Sequence, residues 1–239
     1  MATLGIIGSG RIGTAIARLA VNAGIDVVMA NSRGPQTLAD LVSELGERAT
    51  AGTPEQAAAA GDQVVVTIPL ENFRALPAES LAGKVVLDTM NYYPHRDGRI
   101  PALDSEQLTT SEMVQEHLSG ARTVKVFNNI FWSHIPEVAR PAGAPDRSAL
   151  PIAGNDAQAK VEAAALISAL GFETVDVGAL ADAWRFEPET RAYVRPYAAD
   201  RTASMAQIRD GAPAGPLSAA DLRSLLNRAE RVRVADRTF

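Results

Sequence analysis

Three glycines stand at the spacing G-x-G-x-x-G in Gly8-Ser9-Gly10-Arg11-Ile12-Gly13, directly after the apolar run Leu4 to Ile7. Between a strand and a helix, the first glycine permits a tight turn and the second lets backbone approach a pyrophosphate. The third lets helix and strand pack closely. Ile12, Ile16, Leu19 and Ala20 follow at helical spacing, so a helix N-terminus with unpaired N–H groups and partial positive charge should face the same turn. Residues 8–13 are therefore read as a pyrophosphate-binding loop, and the expected ligand is a dinucleotide.

A second apolar strand, Ile25 to Ala30, ends where a dinucleotide fold that prefers NAD places Asp or Glu for the ribose 2′-hydroxyl. Here the chain reads Asn31-Ser32-Arg33. A carboxylate would repel a 2′-phosphate, whereas a guanidinium clamps it with charge-assisted hydrogen bonds and a serine hydroxyl adds another. Arg11 is a further candidate for the same anion. The pattern predicts NADP.

The elements that must position these residues alternate strand and helix. This is the pattern of an α/β, Rossmann-type doubly wound parallel sheet. Helices are expected over Pro35 to Leu45, from Pro54 behind a Thr53 cap, over Ser111 to Leu118, and over the Ala-rich stretch Ala157 to Leu170. Strands are expected near Arg48 to Ala51 and over Gln63 to Ile68, Lys84 to Leu87, Thr123 to Phe127, Ala149 to Ala153 and Glu173 to Val177. After Gly178 the strands stop, aromatics and arginines gather, and a last helix starts at Ser218 with Asp221 three residues on. Its stripe Leu222, Leu225, Leu226, Ala229 and Val232 suits core or a dimer contact. The expected division is an NADP-binding domain over residues 1–178 and a small C-terminal helical segment over 179–239 for the acceptor site or dimerisation.

Composition narrows the chemistry. The chain has 239 residues, 46% of them hydrophobic, and a formal net charge of −5, which supplies a real core and no basic face for nucleic acid. With no cysteine, disulfides, zinc–thiolate sites and thiol catalysis are excluded, and three scattered histidines suggest no metal site. No apolar run approaches the roughly 20 residues of a membrane span, and no leader pattern precedes the first strand. A cytoplasmic protein, with no nucleic-acid or membrane partner and forming a homodimer, is the expectation.

Ligands of open α/β sheets bind beyond the carboxyl ends of the strands. Thr67, Ile68 and Pro69 should line the path from pyrophosphate to nicotinamide, although Pro69 serves equally as a strand terminator. Asn91-Tyr92-Tyr93 and Asn128-Asn129 also follow apolar strands, offering amide hydrogen bonds and flat faces for a planar ring. Asparagine at such a place is equally a turn residue. Asn91, Tyr93, Asn128, Asn129, His134 and Trp184 are the acceptor-side candidates, with Tyr93 and His134 as possible proton donors. His95 lies in a turn-rich, exposed stretch, His117 on a polar helix face, and Asp88 at a strand end where an Asp often caps a turn.

These segments, in this order, resemble the NADP oxidoreductase family that uses coenzyme F420, the deazaflavin hydride carrier. The likeness rests on Gly8 to Gly13, on Ser32-Arg33 after the second strand, and on Ile68-Pro69 after the fourth. It covers about 180 N-terminal residues and continues through Leu180-Ala181-Asp182-Ala183-Trp184-Arg185-Phe186-Glu187-Pro188. In the family a basic residue often follows the Ser-Arg pair; here Pro35-Gln36-Thr37 stands instead. The resemblance implies reversible hydride transfer between nicotinamide C4 and the deazaflavin's central ring. Such transfer needs stacked rings at close approach and no catalytic residue of its own.

Two other readings stay open. One is an NADPH-dependent reductase of an imine or small carbonyl compound, which would require a proton donor such as Tyr92, Tyr93 or His134. Such enzymes append a helical domain of about a hundred residues or more, and none of the three lysines (Lys84, Lys125, Lys160) suits a catalytic lysine. The other is a non-enzymatic NADP-sensing protein. A ferric-reductase type shares the nucleotide module but works with a membrane partner.

Overall fold

In the computed structural model, which describes residues 2–237, eight strands form one sheet in the order β3-β2-β1-β4-β5-β6-β7-β8. They are β1 Thr3–Ile7, β2 Asp26–Ala30, β3 Ala49–Gly52, β4 Gln63–Val66, β5 Val85–Asp88, β6 Arg122–Lys125, β7 Ala149–Gly154 and β8 Glu173–Gly178. The first six are all parallel and follow the order 3-2-1-4-5-6 of a doubly wound dinucleotide fold. Between them run α1 Arg11–Asn22, α2 Ala39–Leu45 and α3 Pro54–Ala60. The α3 start is a complete capping box: Gln56 N donates to Thr53 Oγ1 at 3.2 Å and Thr53 N to Gln56 Oε1 at 2.8 Å.

Both faces of the sheet are covered, which is why the central strands read as unbroken apolar runs. Val65 joins Leu4, Ile6 and Met29 in the core on one face, while Val64 and Val66 join Ile7 and Ala57 on the other. The sheet departs from full parallelism at one place: β7 runs antiparallel to β6. The connection from 126 to 148 holds just one short helix, His134–Val138, among its regular elements. It turns back from the end where β6 finishes, and an antiparallel return needs no crossover. The helix Ala157–Ala169 then supplies the crossover that makes β8 parallel to β7.

The segment after Gly178 packs on this sheet. Phe186, Tyr197, Leu217, Leu222 and Leu226 belong to the same core as β6 and β7. Buried Tyr197 donates its hydroxyl to Ala149 O at 2.9 Å, and Ala149 N donates to Leu217 O at 2.8 Å. The stripe of the helix Ala219–Asn227 is thus directed at the sheet through Leu222 and Leu226. Among the described residues no helix is long and apolar enough to cross a membrane.

Candidate functional site

Each glycine of the loop has a distinct steric reason. Gly8 sits at φ +122°, and a Cβ there would lie 2.3 Å from Thr67 O. A Cβ on Gly13 would lie 2.1 Å from Gly8 O, so a side chain would push α1 off β1. Gly10 is the opposite case, because a Cβ there would meet nothing within 4 Å. Its backbone therefore faces open space, at the N-cap of α1, and no side chain caps the helix and no acidic residue occupies its first turn. Open space, N–H groups and a helix dipole together fit a pyrophosphate.

Beside the loop is a hollow of about 330 Å³ bordered by Gly8, Ser9, Gly10, Asn31, Ser32, Arg33, Thr67, Ile68 and Pro69. Nine of the predicted cofactor residues thus meet around one space, joined by Pro54, Asn72, Ala75 and Leu76, which had no signature of their own. Asn31 is buried and braces the hollow from beneath. Its Nδ2 donates to Ser9 Oγ at 3.1 Å and to Thr37 Oγ1 at 3.0 Å, and its Oδ1 accepts from Arg33 N at 2.9 Å. The glycine loop and the Ser32-Arg33 turn are thereby tied together by a neutral amide where a carboxylate would repel a phosphate. Ser32 and Arg33 remain exposed on the rim.

On the other side of Ile12 opens a second cleft, of about 320 Å³, whose walls include Asn91, Tyr93, Asn128, Phe131, Trp132 and Tyr193. Asn91 Nδ2 donates to Asn128 O at 2.8 Å, and Asn128 Nδ2 donates to Asn91 Oδ1 at 3.1 Å and to Phe186 O at 3.0 Å. The hydroxyls of Tyr93 and Tyr193 are 2.5 Å apart, and the Arg96 guanidinium lies 4.7 Å over the Tyr93 ring. Burial pushes both phenols above their ordinary range, Tyr193 furthest because Tyr93 adds to the effect. His95, Met205 and Arg209 complete one end of the cleft.

The support beneath is strained and charged. Val194 has φ 55° and ψ −62°, and Arg195 N donates to Tyr193 O across it at 2.7 Å, a γ-turn of the rare, strained kind. Val194 N is held by Asn129 O at 2.8 Å, two residues beyond Phe127, itself at φ 60°. Under the Asp88–Tyr93 loop, fully buried Lys125 pairs with Asp88 at 3.1 Å and also donates to Met90 O, while Ser111 donates to the same carboxylate. Buried Glu187 accepts from Arg237 at 2.9 Å and from Thr110 N at 3.1 Å. Burial alone would raise the Glu187 carboxyl, but the charges of Arg237 and Lys125, together with the hydrogen bonds from Arg237 and Thr110, outweigh it and hold it below its usual range.

Several expected site residues lie elsewhere. His134 is fully buried and its Nε2 is 2.9 Å from Ala212 O, so it anchors the C-terminal segment and does not face the cleft. Asn129 is likewise buried, donating to Ala192 O at 2.9 Å and to Tyr197 OH at 3.2 Å. Trp184 stands away from the cleft with the guanidiniums of Arg185 and Arg231 over its ring, at 4.8 and 5.9 Å. Arg11 lies 4.9 Å over Trp132, on the flank of α1 away from the Ser32-Arg33 hollow. His117 is half-buried and meets the Phe73 ring edge-on rather than solvent alone. Tyr193 was missed because its partner is 100 residues distant and nothing local marks it. Lys125 did carry a signal, a lone lysine inside an apolar strand.

Residues 3–92 match the family described as NADP oxidoreductase, coenzyme F420-dependent. A hypothetical protein of Sinorhizobium meliloti is 32% identical, with a TM-score of 0.67 over 77% of this chain and 88% of that one. A candidate F420-dependent NADP reductase from Arthrobacter sp. FB24 is 26% identical, with a TM-score of 0.64 over 77% and 87%. Metalloreductase STEAP3 of Rattus norvegicus is 30% identical over 189 residues, 77% of this chain and 35% of that protein. The chain therefore spans about a third of that relative's length.

Proposed function

From the premise that the chain belongs to the coenzyme F420-dependent NADP oxidoreductase family, we propose that it passes hydride between NADP(H) and the deazaflavin F420. The chain is an NADP-dependent oxidoreductase by that membership, and the choice of acceptor is our reading. In it, Gly8 to Gly13 hold the pyrophosphate, and Ser32 with Arg33 hold the 2′-phosphate. The cleft of Asn91, Tyr93 and Asn128 receives the rings. When bound, the nicotinamide supplies or accepts the hydride at C4.

The observation that carries this reading is the make-up of the cleft. Its walls combine the amides of Asn91 and Asn128 and the aromatic faces of Tyr93, Phe131, Trp132 and Tyr193 with Arg96, Arg209 and His95, next to the N-terminus of α1, and among the described residues no carboxylate lines it. Such walls orient flat rings and exclude water, which is what ring-to-ring hydride transfer asks of a protein. The test mixes purified protein with NADPH and oxidised F420 and follows the visible absorbance of the deazaflavin. Rapid bleaching, much slower with NADH, is the expected result. No bleaching while NADPH still binds overturns the choice of acceptor and leaves the nucleotide site intact.

The Tyr93–Tyr193 pair favours one second reading. An imine or carbonyl acceptor would need a proton as well as a hydride, and two neutral phenols in hydrogen-bond contact could deliver one. NADPH oxidation by a cyclic imine, without F420, would select it.

A further inference from the structure

Resting on the reading that this cleft receives the reacting rings, we propose that Asn128 Oδ1 is a specificity-determining acceptor for an in-plane N–H of the bound ring system. Asn128 is 2% exposed, yet it lines the cleft. Its amide cannot be turned over. Both Nδ2 protons go to oxygens that cannot donate in return, Asn91 Oδ1 and Phe186 O. The Asn91 amide is fixed in turn by donating to Asn128 O. Flipping either side chain would set oxygen against oxygen.

Oδ1 is then the atom left over, buried and without a partner among the described residues. Buried acceptors in native structures find donors, and a wall that leaves one unmatched selects a ligand that brings it. A carboxylate or ketone edge would be repelled, and an N–H edge accepted. The same cleft holds the complementary orphan: Trp132 Nε1, a donor, is also buried without a partner. An amide or imide edge carries the N–H that Asn128 Oδ1 lacks. Two ligands present such an edge, the nicotinamide through its carboxamide and a deazaflavin through the imide of its uracil-type ring.

Binding measured by fluorescence or calorimetry, without turnover, tests the assignment on two pairs of probes. One is NADP⁺ against its 3-acetylpyridine analogue, in which methyl replaces the amide NH₂. The other is 5-deazariboflavin against its N3-methyl derivative. Wild-type protein is expected to prefer the N–H member of at least one pair by about tenfold or more. Asn128→Ala, or Asn128→Ser should the alanine variant fail to fold, is expected to bring that preference to within about twofold. Preference in the first pair assigns the contact to the nicotinamide, and preference in the second to the acceptor ring. No preference in either pair with wild-type protein overturns the proposal, and so does a preference that survives in a folded Asn128 variant. Failure to reduce F420 would leave the NADP⁺ comparison standing, so the two readings fail separately.

Discussion

Tyr93 and Tyr193, 100 residues apart in the chain, bring their hydroxyls to 2.5 Å in the wall of the cleft. Both phenols are pushed upward by burial, so both stay protonated through the range in which the enzyme is assayed. With F420 as acceptor, Tyr93→Phe is expected to change kcat by less than about tenfold, because positioning and not proton transfer sets the rate. The pH–rate profile should show no break from these phenols below about pH 10. With an imine acceptor the same substitution should cost about 10²–10⁴-fold.

Arg33 stands at the rim of the hollow, with its backbone N–H fixed by Asn31. Arg33→Ala should weaken NADPH binding by about 1–3 kcal/mol, the loss of a charged hydrogen-bond partner, and leave NADH nearly unchanged. Fluorescence titration with both cofactors checks it. Equal losses would remove the 2′-phosphate assignment.

The glycines of the loop should separate folding from binding. Gly10→Ala meets no protein atom within 4 Å, so stability should change by less than about 1 kcal/mol, while NADP binding weakens as the methyl enters the pyrophosphate's space. Gly13→Ala sets a carbon 2.1 Å from Gly8 O and should cost about 1–3 kcal/mol of stability as well. Thermal melts with and without NADP distinguish the two.

The pair Glu187–Arg237 makes the protein acid-sensitive in a defined direction. Glu187 is held below its unfolded value, so the pair's stabilisation is complete above about pH 4.5 and is lost as pH falls through the folded value. Arg237→Ala leaves a buried carboxylate without its main partner and should destabilise by about 3–5 kcal/mol, with acid unfolding at higher pH. Glu187→Gln together with Arg237→Met should recover much of that loss. Urea unfolding at pH 4, 5 and 7 reads both effects.

Much of the fold was legible because doubly covered strands must be apolar throughout, and Val64-Val65-Val66 and Val85-Val86-Leu87 are. The reversed β7 was not, since a buried strand has the same pattern whichever way it runs. The hollow beside the glycine loop was legible because its residues lie in short contiguous turns that sterics restrict to few residue types, as at Gly8 and Gly13. Of the residues expected on the acceptor side, Asn91, Tyr93 and Asn128 line one cleft. His134 follows Asn128 by six positions, but the short helix it begins turns its ring inward toward Ala212 O. Proximity in sequence is there no guide to proximity in space. Lys125 and Asp88, directly paired across β5 and β6, show the converse: two oddities visible separately, whose partnership exists only in the register of the sheet.

The γ-turn at Val194 joins backbone strain, apolar burial and the shape of the cleft at one position. A β-branched residue held at φ 55° costs about 1–3 kcal/mol that glycine would not. Val194→Gly would relieve that strain, but Val194 is 2% exposed and packs with Tyr193, Ala198, Ala203 and Ile208, so the glycine would also lose apolar burial and leave a cavity of comparable cost. The same change would loosen the hydroxyl of Tyr193 from Tyr93, so the cleft would lose definition without a net gain in stability. A buried valine at φ 55° thus holds its strain in the wall of the cleft, where its own packing offsets it.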